Sequence, residues 1–213
     1  MTAEPMPEYG PASAPEPQPR SDHLTAVPDW LIPPADGFTA EDLDRLPQLP
    51  PHTELIDGSL VLVSPQSSFH TLTMDLLVNG LRRSVPEMMR VRREMTVTLG
   101  RRQRPEPDLM VLRAEAVTGP EETGYRPEDV VLAVEVVSPD SVERDRERKP
   151  ALYARAGIPH FWRVEKNEGR PVVYVHEIDP ATGAYVATGI HHDRLKLTVP
   201  FDVDIDLTEI DRL

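Results

Sequence analysis

Glu135 stands inside the run VVLAVEVVS, residues 130–138, and its surroundings demand an explanation in chemical terms. A carboxylate within an apolar strand either finds a partner or takes up a proton, because burying it unpaired costs several kcal/mol. Two kinds of partner would serve: a buried arginine, or a metal ion bound together with a second carboxylate. Asp108 is available as that second carboxylate. It opens the run DLMVL directly after Pro107, which puts it at a sheet end, where it meets Glu135 if the two strands pair. A Pro-Asp pair by itself also begins many ordinary strands and turns.

Further along, Asp145, Lys149 and Tyr153 are spaced i, i+4, i+8 and form one stripe on a continuous helix. Pro150 removes a backbone donor and crowds the residue four before it, so the helix either kinks there or begins near Lys149. The competing reading of Lys149 is one cation on a solvated Arg/Glu/Lys face. Ser138, just past the strand, can donate a hydrogen bond to its neighbours. His191-His192 has no accompanying carboxylate motif and reads as a surface feature.

The elements that must position these groups can be read from patterning. Thr39 with Glu41 and Asp42 marks the start of a short helix, stopped by Pro47, Pro50 and Pro51. HTELIDGSLVLV reads as two strands turning at Asp57-Gly58. Residues 68–85 carry Phe69, Leu72, Leu76, Leu77 and Leu81 at helical spacing. Residues 90–99 alternate, which predicts one half-buried strand with Val91, Met95, Val97 and Leu99 on one face. DLMVL is a second strand, and VVLAVEVVS is a third, apolar on both faces as in a covered sheet. ERDRERKPALYARAG reads as a helix, HFWRVEK as a strand, PVVYVHEI as its hairpin partner, and a terminal strand pair follows. This order predicts an α/β fold: a mixed β-sheet flanked by helices, with added N- and C-terminal hairpins.

The chain has 213 residues, 39% of them hydrophobic, enough for one core and a tail. Half of its 24 prolines fall in the first 51 residues. Residues 1–35 read as a disordered, acidic, Pro-rich tail and residues 36–213 as the folded domain. The net charge of -13 opposes wholesale attraction to nucleic acid or to anionic membrane. Within that acidity, residues 82–104 hold eight arginines against Glu87 and Glu94, a local balance of +6 on which a DNA backbone could dock. The absence of cysteine excludes disulfides, thiolate zinc sites and cysteine nucleophiles. No apolar run reaches the roughly 18 residues of a membrane span, and the N-terminus is unlike a signal peptide. The expectation is a cytoplasmic protein with no membrane partner.

A helix, strands carrying Pro-Asp and then an acidic residue, and a following helix resemble the PD-(D/E)XK nuclease superfamily from Ser68 to Val164. More narrowly, ELIDGSLVLVSP, His70 at a helix start, PDLMVL and VEVVSPDSVERDRERKPALYARAGIPHFWRV resemble the Uma family (the "Uma two" group) of restriction endonucleases, over about residues 52–213. The resemblance implies a restriction-endonuclease-like core and a metal-dependent endonuclease acting on nucleic acid, with DNA the expected substrate. It implies that Asp108 and Glu135, with the backbone carbonyl of Val136, hold Mg²⁺ or Mn²⁺. The superfamily's Glu-x-Lys lysine is absent, since Val137 occupies that position. The Uma pattern instead matches Lys149, one of three lysines in a chain with 20 arginines. Glu54 and His70 also fall on family positions and join the candidate catalytic set of Asp108, Glu135 and Lys149. A homodimer fits an enzyme that cuts both strands. The alternative is a nuclease-fold protein that binds without cleaving. Retention of Glu54, Asp108, Glu135 and Lys149 together favours catalysis.

Overall fold

The computed structural model describes residues 28–47 and 49–213; of the tail expected over residues 1–35, residues 1–27 lie outside the described residues. Asp29–Leu31 forms a single 3-10 turn in a unit that ends at Ile32, and the fold that follows spans Pro33–Leu213.

The first helix, α1 (Ala40–Arg45), starts where the sequence signals it, with the Asp42 carboxylate accepting from Thr39 N–H at 2.7 Å and from the Thr39 hydroxyl at 2.8 Å. The hairpin of β1 (Glu54–Ile56) and β2 (Ser59–Val61) turns at Asp57-Gly58, both residues left-handed at φ 55° and 78°. That twist matches a two-residue hairpin loop. The hairpin is then tied down: Leu55 and Arg104 exchange backbone hydrogen bonds at 3.0 and 2.8 Å, and Gly58 N–H donates to Arg102 O at 3.0 Å. These bonds fix where Glu54 points.

Helix α2 (Ser68–Ser84) begins with the Ser67 hydroxyl accepting from His70 N–H at 3.3 Å. Its buried side, which includes Met74, Leu77 and Leu81, packs on the larger core together with strands β11 (Arg194–Leu197) and β12 (Val203–Asp206). A Cβ at Gly80 would lie 2.4 Å from Ile205 Cδ1, so helix and strand approach at a distance only glycine allows.

The central sheet has six strands: β3 (Met89–Arg93), β5 (Leu109–Arg113), β7 (Val130–Val136), β8 (His160–Asn167), β9 (Arg170–Ile178) and β10 (Tyr185–His191). Their order is β10-β9-β8-β7-β5-β3. Only β7 and β8 are parallel, and the crossover between them carries a π-helical turn (Arg144–Arg148) running into α3 (Lys149–Arg155). The sheet is therefore mixed, as the element order predicts. One face (Leu109, Val111, Leu132, Val134, Trp162, Val164) packs with α2, and the other (Met110, Leu112, Ala133, Phe161) packs with Tyr153 and Ile158.

Two expectations about strands are corrected. The alternation over residues 90–99 is not one strand: β3 ends at Arg93, and Glu94 turns left-handed at φ 52° while its N–H donates to Asp108 O at 3.0 Å. The chain then enters β4 (Thr96–Val97), paired in parallel with β6 (Gly124–Tyr125). Val91 and Val97 consequently belong to opposite cores. After β9 the expectation is a single terminal strand pair, whereas three strands follow, β10, β11 and β12, with β10 at the edge of the central sheet and β11 paired with β12. Among the described residues no helix is long and apolar enough to cross a membrane.

Candidate active site

The register Leu109↔Val134 between β5 and β7 sets Asp108 across from Glu135 at the end of the sheet. Asp108 is anchored on both oxygens: Oδ2 accepts from Val136 N–H at 2.6 Å, and Oδ1 lies 3.1 Å from His70 Nε2. The first turn of α2 supplies His70, which is buried, and its Nδ1 has no partner among the described residues. With Nε2 donating to the carboxylate, the ring fixes the direction of Asp108. Val136 turns its side chain into the α2-side core.

Glu135 faces the opposite core and is 1% exposed. Its Oε1 accepts from the Tyr153 hydroxyl at 2.5 Å and its Oε2 from Lys149 Nζ at 3.0 Å. The same ammonium reaches Glu54 Oε1 at 2.9 Å and Asp145 Oδ1 at 3.4 Å. The expected stripe of Asp145, Lys149 and Tyr153 therefore exists, although a π turn rather than an α turn delivers its first member. Pro150 sits in the first turn of α3, the position at which a missing donor costs least. Ser141, preceding the turn, hydrogen-bonds Asp145 Oδ2 and accepts from Ser138 N–H at 3.0 Å, which ties down the loop leaving β7. Glu54 also accepts from Glu106 N–H at 2.8 Å, so the hairpin is held against the strand carrying Asp108.

This is one ammonium facing three buried carboxylates, with a fourth, Asp108, close enough to act on them. Burial pushes the Glu135 carboxyl well up, Lys149 opposes that, and Asp145, Asp108 and Glu54 add to it. Asp145 is raised by burial in the same way. For Lys149, burial disfavours the charge, yet Glu135, Glu54, Asp145 and Asp108 reverse this and hold the ammonium firmly protonated. Burial and the Glu135 carboxylate likewise keep Tyr153 protonated. The cluster therefore carries surplus negative potential.

The cluster forms the floor of an open cleft of about 630 Å³, whose walls add Glu94, Glu106 and Asp140. Seven carboxylates line it, against two cations, Lys149 and Arg144. At the mouth His52 Nδ1 lies 2.5 Å from Glu106 Oε1. Leu62 and Val63, both exposed, form an apolar lip.

The Uma2 family pattern, described as "Putative restriction endonuclease", matches residues 40–208. The chain belongs to the Uma2 family. A crystal structure described as a putative nuclease belonging to DUF820, from Anabaena variabilis, superposes with a TM-score of 0.62 at 17% identity, covering 81% of this chain and 97% of that one. It shows the shared fold. NucC from P. aeruginosa in its cAAA-bound form matches at a TM-score of 0.33 and 13% identity, over 59% of this chain and 85% of that one, and carries no argument. No curated protein matches the chain. The family is the one described as restriction endonucleases, and the fold is shared with the DUF820 protein.

In this Uma2 chain the structure brings together all five of the sequence-derived catalytic candidates: Asp108, Glu135, Lys149, Glu54 and His70. Glu135 pairs with a lysine and a tyrosine, and not with the buried arginine considered from sequence. Val137, in the usual lysine position, has its N–H on Val164 O at 2.8 Å, while Lys149 reaches Glu135 from the next element. Several residues of the site and its cleft fell outside the sequence-derived catalytic set. Asp145 and Tyr153 were visible as i±4 neighbours of Lys149. Glu106 lies in the loop before β5 and His52 in a left-handed turn before β1, at φ 60°, so neither carried a periodic signal. The arginines of 82–104 do not form one open stripe. Arg93 pairs with Asp75 and Glu94, Arg104 pairs with Asp44 beneath α1, and Arg102 donates to Asp57 O at 2.7 Å.

Proposed function

We propose that the chain is a divalent-metal-dependent endonuclease that hydrolyses phosphodiester bonds, with DNA as its substrate, and that residues 36–213 are the catalytic unit. The observation that carries this reading is the sign of the cleft: seven carboxylates against Lys149 and Arg144. A nucleic-acid phosphate entering such a cleft is repelled unless a multivalent cation comes with it.

The donor chemistry fits that cation. Asp108 and Glu135 stand at opposed register positions and offer hard oxygen donors, and Asp145 Oδ1, 3.4 Å from Lys149 Nζ, makes no hydrogen bond. No group of three or more ligands stands ready-made among the described residues. Mg²⁺ is compatible with this, since it is typically bound through one or two carboxylates and keeps several waters. Asp108 and Glu135, with the Val136 carbonyl, are assigned as its holders. A cation bound there supplies Lewis-acid polarisation of the phosphate and a lowered pKa for water. The chain's own residues do the rest: His70 and Val136 N–H orient Asp108, Tyr153 fixes the Glu135 carboxylate, and Glu54 holds Lys149 in place. The Lys149 ammonium stabilises negative charge that builds on the attacked phosphate.

The test is incubation of the purified protein with supercoiled plasmid, single-stranded DNA and RNA, in Mg²⁺, Mn²⁺ or chelator. Cleavage of DNA with either metal and none with chelator supports the reading. Binding of nucleic acid without cleavage under all conditions moves the non-cleaving alternative ahead, a reading that the saturation of Lys149 by three carboxylates and the valine at position 137 would then explain.

A further inference from the structure

The π-helical turn that delivers Asp145 and Lys149 to the cluster carries three arginines, and they differ in one respect. Arg146 forks onto Glu165, and Arg148 forks onto Asp57. Arg144 lines the cleft and makes no ion pair among the described residues, and its Nε is buried without a hydrogen-bond partner. A guanidinium left unneutralised beside so many carboxylates is unexpected, because in a flexible setting it would swing onto one of them. The backbone holds it off. Asp145 N–H donates to Ser141 O at 2.8 Å, and Lys149 N–H donates to Arg144 O, so the wider π turn sets Arg144 at the rim while its neighbour Asp145 goes inward. π turns inside helices are often found at functional positions. An unsatisfied buried donor beside an open cleft is a group whose partner comes from outside.

From this geometry we infer that Arg144 is the substrate anchor of the site, its guanidinium gripping a backbone phosphate oxygen of the bound nucleic acid. The inference rests on the nuclease reading above and adds to it the residue that positions the substrate. Arginine suits the role because its planar fork matches phosphate oxygens and its charge never titrates away. Lys149, held by three carboxylates, is not free to bind at a distance. Arg144 is the remaining cation of the cleft.

The experiment compares wild type with Arg144→Ala, Arg144→Lys and, as a control of equal charge change, Arg146→Ala. Three quantities are read: Mn²⁺ binding by calorimetry without nucleic acid, affinity for a labelled duplex by anisotropy across a salt series in Ca²⁺, and single-turnover cleavage in Mg²⁺ against enzyme concentration. Arg144→Ala should keep Mn²⁺ binding, weaken duplex affinity about tenfold, and flatten the salt slope by about 0.9, one phosphate contact. Its half-saturating enzyme concentration should rise accordingly. Arg144→Lys should restore the salt slope with affinity between the two, and Arg146→Ala should match wild type. Wild-type binding and cleavage by Arg144→Ala overturn the anchor, as does loss of Mn²⁺ binding in that variant, which would mark a structural role. If wild type binds Mn²⁺ but neither binds nor cleaves nucleic acid, the nuclease reading itself fails and the anchor with it.

Discussion

Arg148 and Lys149 are consecutive in sequence, and each forms an ion pair with the same hairpin. Arg148 meets Asp57 at the turn, with the two side chains 33% and 51% exposed; Lys149 meets Glu54 at the start of β1, with 6% and 4%. The helical rotation between neighbours sends one cation to the surface and the other beneath it. The surface pair clamps the hairpin tip at small net energy, since exposed ion pairs are screened and entropically costly. The inner pair belongs to a cluster in which carboxylates outnumber the ammonium, an arrangement that folding alone does not favour. The same two elements thus supply one bond that serves the fold and one that makes sense through what the cleft must bind.

The largest expected effect comes from removing the inner cation. Lys149→Ala leaves Glu54, Glu135 and Asp145 buried with no counter-charge, and stability should fall by about 3–5 kcal/mol in urea titrations near neutral pH. Single-turnover cleavage should fall about 10² or more, with Lys149→Arg rescuing poorly because the guanidinium is larger and planar. A stability change under 1 kcal/mol would mean that water already solvates the cluster.

The two pairs should also respond to pH with opposite sign. Glu135 holds its proton above the ordinary 4.5, so between that value and its raised pKa the folded state binds more protons than the unfolded chain, and stability declines as pH rises. Asp57 is held below its ordinary 3.8 by Arg148, so its contribution is present above 3.8 and is lost as pH falls through the lowered value. Glu135→Gln should therefore gain stability relative to wild type as pH rises from about 4.5, whereas Asp57→Asn should lose its difference from wild type in acid. Chemical denaturation at half-unit pH steps checks both slopes.

The smallest effect is Arg148→Ala, expected within about 1 kcal/mol and vanishing at high salt, because that pair is largely solvated. A loss as large as that of Lys149→Ala would erase the distinction between the two pairs.

Much of this was legible in the sequence because the signals are local. Asp57-Gly58 specifies a turn by its φ values, VVLAVEV specifies a strand covered on both faces, and the i, i+4, i+8 spacing puts Asp145, Lys149 and Tyr153 on one side. What was not legible depends on distant contacts. The break at Glu94 exists because its N–H finds Asp108 O, a partner outside any sequence window. The hairpin reaches the site because Leu55 bonds Arg104, and the last arginines of the basic run 82–104, Arg102 and Arg104, hold α1 and the hairpin.

The measurement that bears most directly on the paired carboxylates is Mn²⁺ calorimetry and Mg²⁺-dependent single-turnover cleavage of duplex DNA on Asp108→Asn beside wild type. The substitution keeps the shape and leaves a carbonyl oxygen for Val136 N–H, and the amide NH2 faces His70 Nε2, which can accept in its other tautomer, so the fold should persist, while Mn²⁺ binding is lost and cleavage falls by at least about 10². Equal metal binding and equal cleavage by the two proteins would contradict the assignment of Asp108 and Glu135 as the centre of the site.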